Sequence, residues 1–172
     1  MRLFHVSEEA DIAVFHPRMP TRADLDPTVG LVWAIDETHL PNFLTPRDCP
    51  RVTYHVTDTT TAEDRARFFS GHSCTYAVAI ESGWFRPMLD TTLYLYEFDP
   101  EDFRLQDPVA GYYVSTQTQI PVAKHTCTDL FDALFSRGTE VRLVDNLWDL
   151  ASAVQQSSLG WSLCRMKNAL RK

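Results

Sequence analysis

Short apolar runs of strand length follow one another through most of this chain, and a helical period is frequent only near its end. Strand-like runs are read at residues 1–7, 31–35, 51–56, 76–80, 91–98, 111–115, 118–123 and 140–144. Helical segments are read at 37–44, 61–69, 82–89, 129–135 and 147–154, with an amphipathic closing helix at 161–172. A doubly wound parallel sheet needs strict alternation of strand and helix, and this order lacks it. The expectation is an α+β fold with a mainly antiparallel sheet, continuous or split, flanked by helices. A length of 172 residues suits one domain with a sizeable core, so a single α+β domain over the whole chain is expected.

Local signals set the element ends. Thr61 and Gly71 bracket one helix, and Thr128 and Gly138 bracket another. Asp36 is a candidate N-cap for the 37–44 helix, which carries Pro41 early and is followed by Pro46. Pro17 and Pro20 favour an extended loop over 16–20, and the polar stretch 21–30 reads as a surface loop.

A hydrophobic fraction of 44% and an aromatic fraction of 12% predict an ordered globule. The net charge of −7 and a pI near 5.3 argue against gripping a phosphate backbone, so nucleic acid is an unlikely partner. No apolar stretch reaches the roughly 18 residues of a spanning helix. The chain opens on a strand-like segment rather than a charged region followed by an apolar one, so a cytoplasmic protein without a membrane partner is expected. Cys49, Cys74, Cys127 and Cys164 are scattered without a C-x-x-C pair, which predicts free thiols. Six glycines and no G-x-G-x-x-G or P-loop pattern leave any nucleotide to be held by side chains.

Two stretches carry the candidate chemistry. In the first strand, alternation puts Leu3 and His5 on one face and Phe4 and Val6 on the other. His5 is then either a ligand-reaching ring at an edge or a satisfied structural residue. In the loop 45–51, Arg47 and Arg51 form a bidentate clamp for phosphate or carboxylate, unless Asp48 holds them in an internal ion pair. His5, His16, His39, His55, His72 and His125 show no H-x-x-x-H or H-x-H pairing with carboxylates, which disfavours a metal hydrolase.

The stretch Leu3-Phe4-His5-Val6-Ser7 resembles the opening strand of the ADP-ribosyltransferase-like superfamily, where an aromatic residue, His, Gly and Thr or Ser take hold of NAD. Leu31-Val-Trp-Ala-Ile35 and the segment from Glu37 resemble that superfamily's second strand and the helix under the nicotinamide. Gly111-Tyr-Tyr-Val-Ser-Thr-Gln-Thr-Gln-Ile-Pro121 is similar in placement to the late strand bearing the catalytic acid. Rifampin ADP-ribosyltransferases and RNA 2′-phosphotransferases are the types it is most similar to, and the whole chain also resembles a small bacterial family without an assigned activity. The resemblance implies NAD as cofactor and a small-molecule nucleotide as partner. It implies that His5 bonds a ribose hydroxyl, Ser7 supports the pocket, Trp33 stacks on nicotinamide, and Arg18, Arg47 and Arg51 bind the pyrophosphate. Gln117 then occupies the acidic position, making His5 and Gln117 the catalytic pair of a transferase. Val6 stands where the superfamily has glycine, and an amide lacks the charge that stabilises a developing oxocarbenium, for which Glu97 and Glu140, both on expected strands, are the other candidate carboxylates. The alternative is therefore a non-catalytic binding or regulatory domain that kept the scaffold and lost the acid.

Overall fold

The computed structural model describes residues 1–20 and 25–171, so part of the expected 21–30 loop, residues 21–24, lies outside the described residues. The chain is α+β and divides into two compact units, Met1–Leu40 with Leu93–Thr126, and Pro41–Thr92 with Cys127–Lys172.

The first unit is a six-stranded sheet in the order β6-β7-β2-β1-β5-β8. Its strands are β1 (Leu3–Ser7), β2 (Val32–Asp36), β5 (Leu93–Phe98), β6 (Arg104–Asp107), β7 (Tyr112–Ser115) and β8 (Ala123–Cys127). The pairs β1–β2, β1–β5, β2–β7 and β6–β7 are antiparallel. Strand alternation makes two apolar faces, and Leu3 and Phe4, which face opposite ways, are both buried. On the Leu3 face, Phe15 joins Val32, Ala34, Tyr96 and Phe98 in one cluster. Reciprocal backbone bonds to Gln119, 2.8 and 2.9 Å long, hold Phe15 there. Its ring meets Tyr96 and Phe98 edge-on at 5.2 and 5.0 Å.

The second unit is a four-stranded sheet in the order β10-β3-β4-β9. Here β3 (Arg51–His55), β4 (Tyr76–Glu81) and β10 (Gly160–Cys164) pair antiparallel, and β9 (Thr139–Val144) runs parallel to β4. One face packs Val52, Tyr54, Ala77 and Ala79 against Phe68 of α1 (Ala62–Phe68) and against Ala151 and Val154 of α4 (Trp148–Gln155). The other helices are α2 (Phe85–Asp90) and α3 (Leu130–Phe135). Thr61 caps α1 as expected, its hydroxyl accepting from the Asp64 amide. Asp129, one residue past the expected Thr128, caps α3, and Gly138 ends that region at φ +66°.

Three expectations are corrected. The 37–44 helix is only a 3-10 turn, Leu40–Asn42, because Pro41 withholds an amide donor and Pro46 blocks extension. The expected closing helix over 161–172 is absent among its described residues, 161–171, and Lys172 lies outside them. The segment's start is β10, whose Trp161 pairs with Tyr54 and whose Leu163 pairs with Val52, since the period-two run Trp-Ser-Leu-Cys completes the edge of β3. The 118–123 run is no strand of its own: Gln119 makes an isolated bridge to Phe15 and Ala123 opens β8, which carries too many polar residues to announce itself, as does β6.

Candidate functional site

Register decides where the residues of the first unit point. His5 lies opposite Tyr96 and Leu3 opposite Phe98, so His5 shares the Phe15 face. Its ring sits 4.8 Å from the Phe15 ring. Phe4 lies opposite Ile35, two residues from Trp33, and Trp33 lies opposite Val114. Trp33 therefore shares the Phe4 face, where it meets Tyr112 edge-on at 5.5 Å. The expected convergence of the His5 and Trp33 side chains does not occur, because they stand on opposite faces of one sheet. His5 reaches Trp33 through the backbone instead, with Nδ1 3.0 Å from the Trp33 carbonyl oxygen. That bond requires a proton on Nδ1 and fixes the neutral ring's tautomer.

The other candidates are dispersed. Ser7 shares the His5 face, opposite Tyr94, but its hydroxyl accepts from the Glu9 amide and closes a local turn. Gln117 is exposed in a bend after β7, its backbone N–H donating to Ser115 Oγ at 3.1 Å. The amide built into the sheet is that of Gln119, 7% exposed, whose Nε2 donates to the same hydroxyl. Arg18 is exposed on a backbone bridge to Leu31.

In the second unit, Arg47 and Arg51 form no clamp. Arg51 opens β3 with only 4% of its surface exposed. Its Nε donates to the Asn42 carbonyl, its Nη1 donates to the Cys49 carbonyl at 2.9 Å, and its guanidinium carbon lies 5.2 Å from the Phe43 ring centre. The brace is thus to backbone carbonyls of the preceding turn, not to Asp48. Arg47 is exposed, and its carbonyl accepts from Arg165 Nε. Burial pushes the neighbouring Cys49 thiol up to about 12, and all four cysteines are free.

The sequence reading named Glu97 as a carboxylate that could supply the missing charge but not the charged constellation that holds it on the Trp33 face. Glu97 lies opposite Phe4 in register, so it shares that face. Arg2 donates twice to Glu97, at 2.9 and 2.8 Å, and once to Glu37 at 2.7 Å. His125 of β8 places Nε2 2.9 Å from Glu97 Oε2 and turns its ring edge toward Phe4. The Arg2 bonds first, and the His125 bond second, lower the Glu97 carboxyl to about 2. Only strand order brings these four together, so no local signal announces them.

The folded carboxyl titrates below its ordinary value of 4.5, so its contribution is complete above that pH and is lost as pH falls toward about 2. Thermal melts across that window should show a fall in Tm that Glu97→Gln flattens. At neutral pH, Arg2→Met should cost roughly 1 kcal/mol, since the pair is partly exposed and screened.

A second missed arrangement is an aspartate–histidine pair. Asp36 Oδ1 accepts from the His39 amide at 2.9 Å and from His39 Nδ1 at 2.8 Å. Burial pushes the Asp36 carboxyl up, but the His39 bonds and charge together hold it below its usual range. Asp36 accepts from the amide three residues on, as its position predicted, but it closes the turn 37–39 ahead of the 3-10 turn Leu40–Asn42 and starts no α-helix. Its own amide donates to the carbonyl of Gly111, which adopts φ +69° with the His39 ring in the space of a side chain.

Among the described residues, no group of three or more His, Cys, Asp or Glu side chains is arranged to hold a metal ion. Among the same residues, no helix is long and apolar enough to cross a membrane. No curated protein and no solved structure matches this chain. Residues 4–169, almost its whole length, match a family model, and the chain therefore belongs to the "Family of unknown function (DUF6886)".

Proposed function

We propose that this protein is an ADP-ribosyltransferase-like domain that binds NAD or a related nucleotide without transferring ADP-ribose from it. The observation that supports the loss of transfer is that the expected catalytic and nicotinamide-stacking residues are not gathered into one site. His5 and Trp33 stand on opposite faces, and Gln117 is an exposed amide in a bend. Cleaving the nicotinamide bond develops positive charge, which stacking and a nearby carboxylate stabilise together. An exposed amide offers a dipole that water screens. His5, half-buried and held by the Trp33 carbonyl, is the residue retained for a ribose hydroxyl.

One observation favours a second reading, in which transfer survives on the other face. Phe4, Trp33 and Glu97 share that face, and Arg2 and His125 keep Glu97 ionised. That carboxylate would then replace the missing acid, although the guanidinium on it spends much of its charge.

Titrating NAD against tryptophan fluorescence and calorimetric heat, with nicotinamide release followed by chromatography, separates the readings. Binding reads as saturable heat that His5→Ala weakens about tenfold, with no nicotinamide released and no gain in Gln117→Glu. Turnover abolished by Glu97→Gln but unaffected by Gln117→Ala selects the second reading. Absence of saturable binding at millimolar NAD overturns both.

A further inference from the structure

The loop 45–51 and the segment after β10 meet at one corner of the second unit. Arg165 Nε donates to the Arg47 carbonyl at 3.2 Å, and Asn168 Nδ2 donates to the Asp48 carbonyl at 2.8 Å. These two bonds set Arg165 and Lys167 beside the loop that already carries Arg47. Arg165 is, among the described residues, the one non-glycine with positive φ, at 55°. A left-handed arginine persists only where its surroundings hold it, and here its own side chain supplies part of the hold.

Charge gives the corner its meaning. Arg47, Arg165 and Lys167 are exposed, Arg171 follows closely, and Asp48 is the acidic residue of the loop. Two other arginines are matched to carboxylates, Arg2 to Glu37 and Glu97, and Arg142 to Glu140. Arg165, Lys167 and Arg171 make no ion pair among the described residues, in a chain whose net charge is −7. With Nε engaged on the backbone, the Arg165 guanidinium is anchored at one nitrogen while its two Nη groups remain as donors. That fork matches two oxygens of a phosphate group, and Lys167 adds a point charge.

We infer that this corner is an anion site for phosphate or pyrophosphate groups, with Arg165 and Lys167 as ligands beside Arg47, in place of the buried Arg51. The inference needs no nucleoside contact and stands whether or not NAD binds the first unit. Its chemistry is that of a small polyanion, free or carried on a larger molecule.

Calorimetric titration with inorganic pyrophosphate at low salt tests it, with inorganic phosphate, ADP-ribose and NAD as separate arms. The expected result is saturable pyrophosphate binding that weakens as salt rises, since salt screens the attraction between exposed charges. Arg165→Gly loses the exposed bond to the Arg47 carbonyl but relieves the left-handed strain, and Lys167→Ala changes an exposed residue, so both variants should stay folded with melts close to wild type. Each should weaken pyrophosphate binding about tenfold, while Arg86→Ala, an exposed arginine on α2, should change it little. Binding of ADP-ribose with equal sensitivity to Arg165→Gly identifies a carried pyrophosphate, and its failure beside intact pyrophosphate binding identifies the free anion. No pyrophosphate binding, or equal weakening by Arg86→Ala, overturns the inference. NAD binding that persists in Arg165→Gly leaves the nucleotide reading of the first unit intact.

Discussion

Gly111→Ala is expected to destabilise the protein by at least about 3 kcal/mol, with the loss read as a lower urea midpoint at unchanged slope. Two physical causes add. The backbone at Gly111 has φ +69°, a conformation that costs an L-residue roughly 1–2 kcal/mol. A Cβ built there lies 2.2 Å from His39 Nδ1, so the imidazole has to leave. When it leaves, Asp36 loses the ring bond that opposes its own desolvation, a hydrogen bond to a charged group worth about 1.5–3 kcal/mol. Gly83→Ala is the matched control, because a Cβ there meets nothing within 4 Å, and its effect should stay within about 0.5 kcal/mol. The double variant His39→Ala with Gly111→Ala should cost less than the sum of the single changes, since the clash has been removed. Strict additivity of the two would show that the ring and the glycine do not compete for that space.

Arg51→Ala is expected to cost about 3–5 kcal/mol, which separates a structural brace from a ligand clamp. The guanidinium satisfies two carbonyls, those of Asn42 and Cys49, and each one left without a donor in a buried setting costs about 1–3 kcal/mol. Its contact with the Phe43 ring and the packing of its stem add to the loss. Arg51→Lys should fall between wild type and Arg51→Ala, because a single ammonium cannot span two divergent acceptors as a planar fork does. Urea unfolding of the three proteins gives the order directly. A stable Arg51→Ala protein that had lost only anion binding would return Arg51 to the clamp role its loop composition suggested.

Those two sites show what kind of information a chain carries locally. Thr61 before an acidic first turn, Asp36 before a 3-10 turn and Gly138 after α3 act over three or four residues, so their roles are readable without the fold. The same holds for β1, β3, β4 and β5, where short apolar or alternating runs suffice. The α+β class with mainly antiparallel sheets follows from that order of elements. His5 and Trp33 were each legible as strand residues.

Their faces were not legible, because a face relative to another strand depends on register, and β1 pairs with partners far along the chain. A slip of one residue would bring His5 and Trp33 to the same face, and no tight turn joins β1 to β2 to advertise which register holds. The same non-local pairing collects Arg2, just ahead of β1, with Glu97 of β5 and His125 of β8. It also turns residues 160–164, ahead of the basic tail, into an edge strand, because β3 offers unpaired backbone groups that an isolated amphipathic helix would have left bare. Arg51 follows the same rule. Composition marked it as a cation in a proline-rich loop, but whether a guanidinium meets water, a carboxylate or two carbonyls is set by what the sheet buries, and that is decided only when the chain has closed around it.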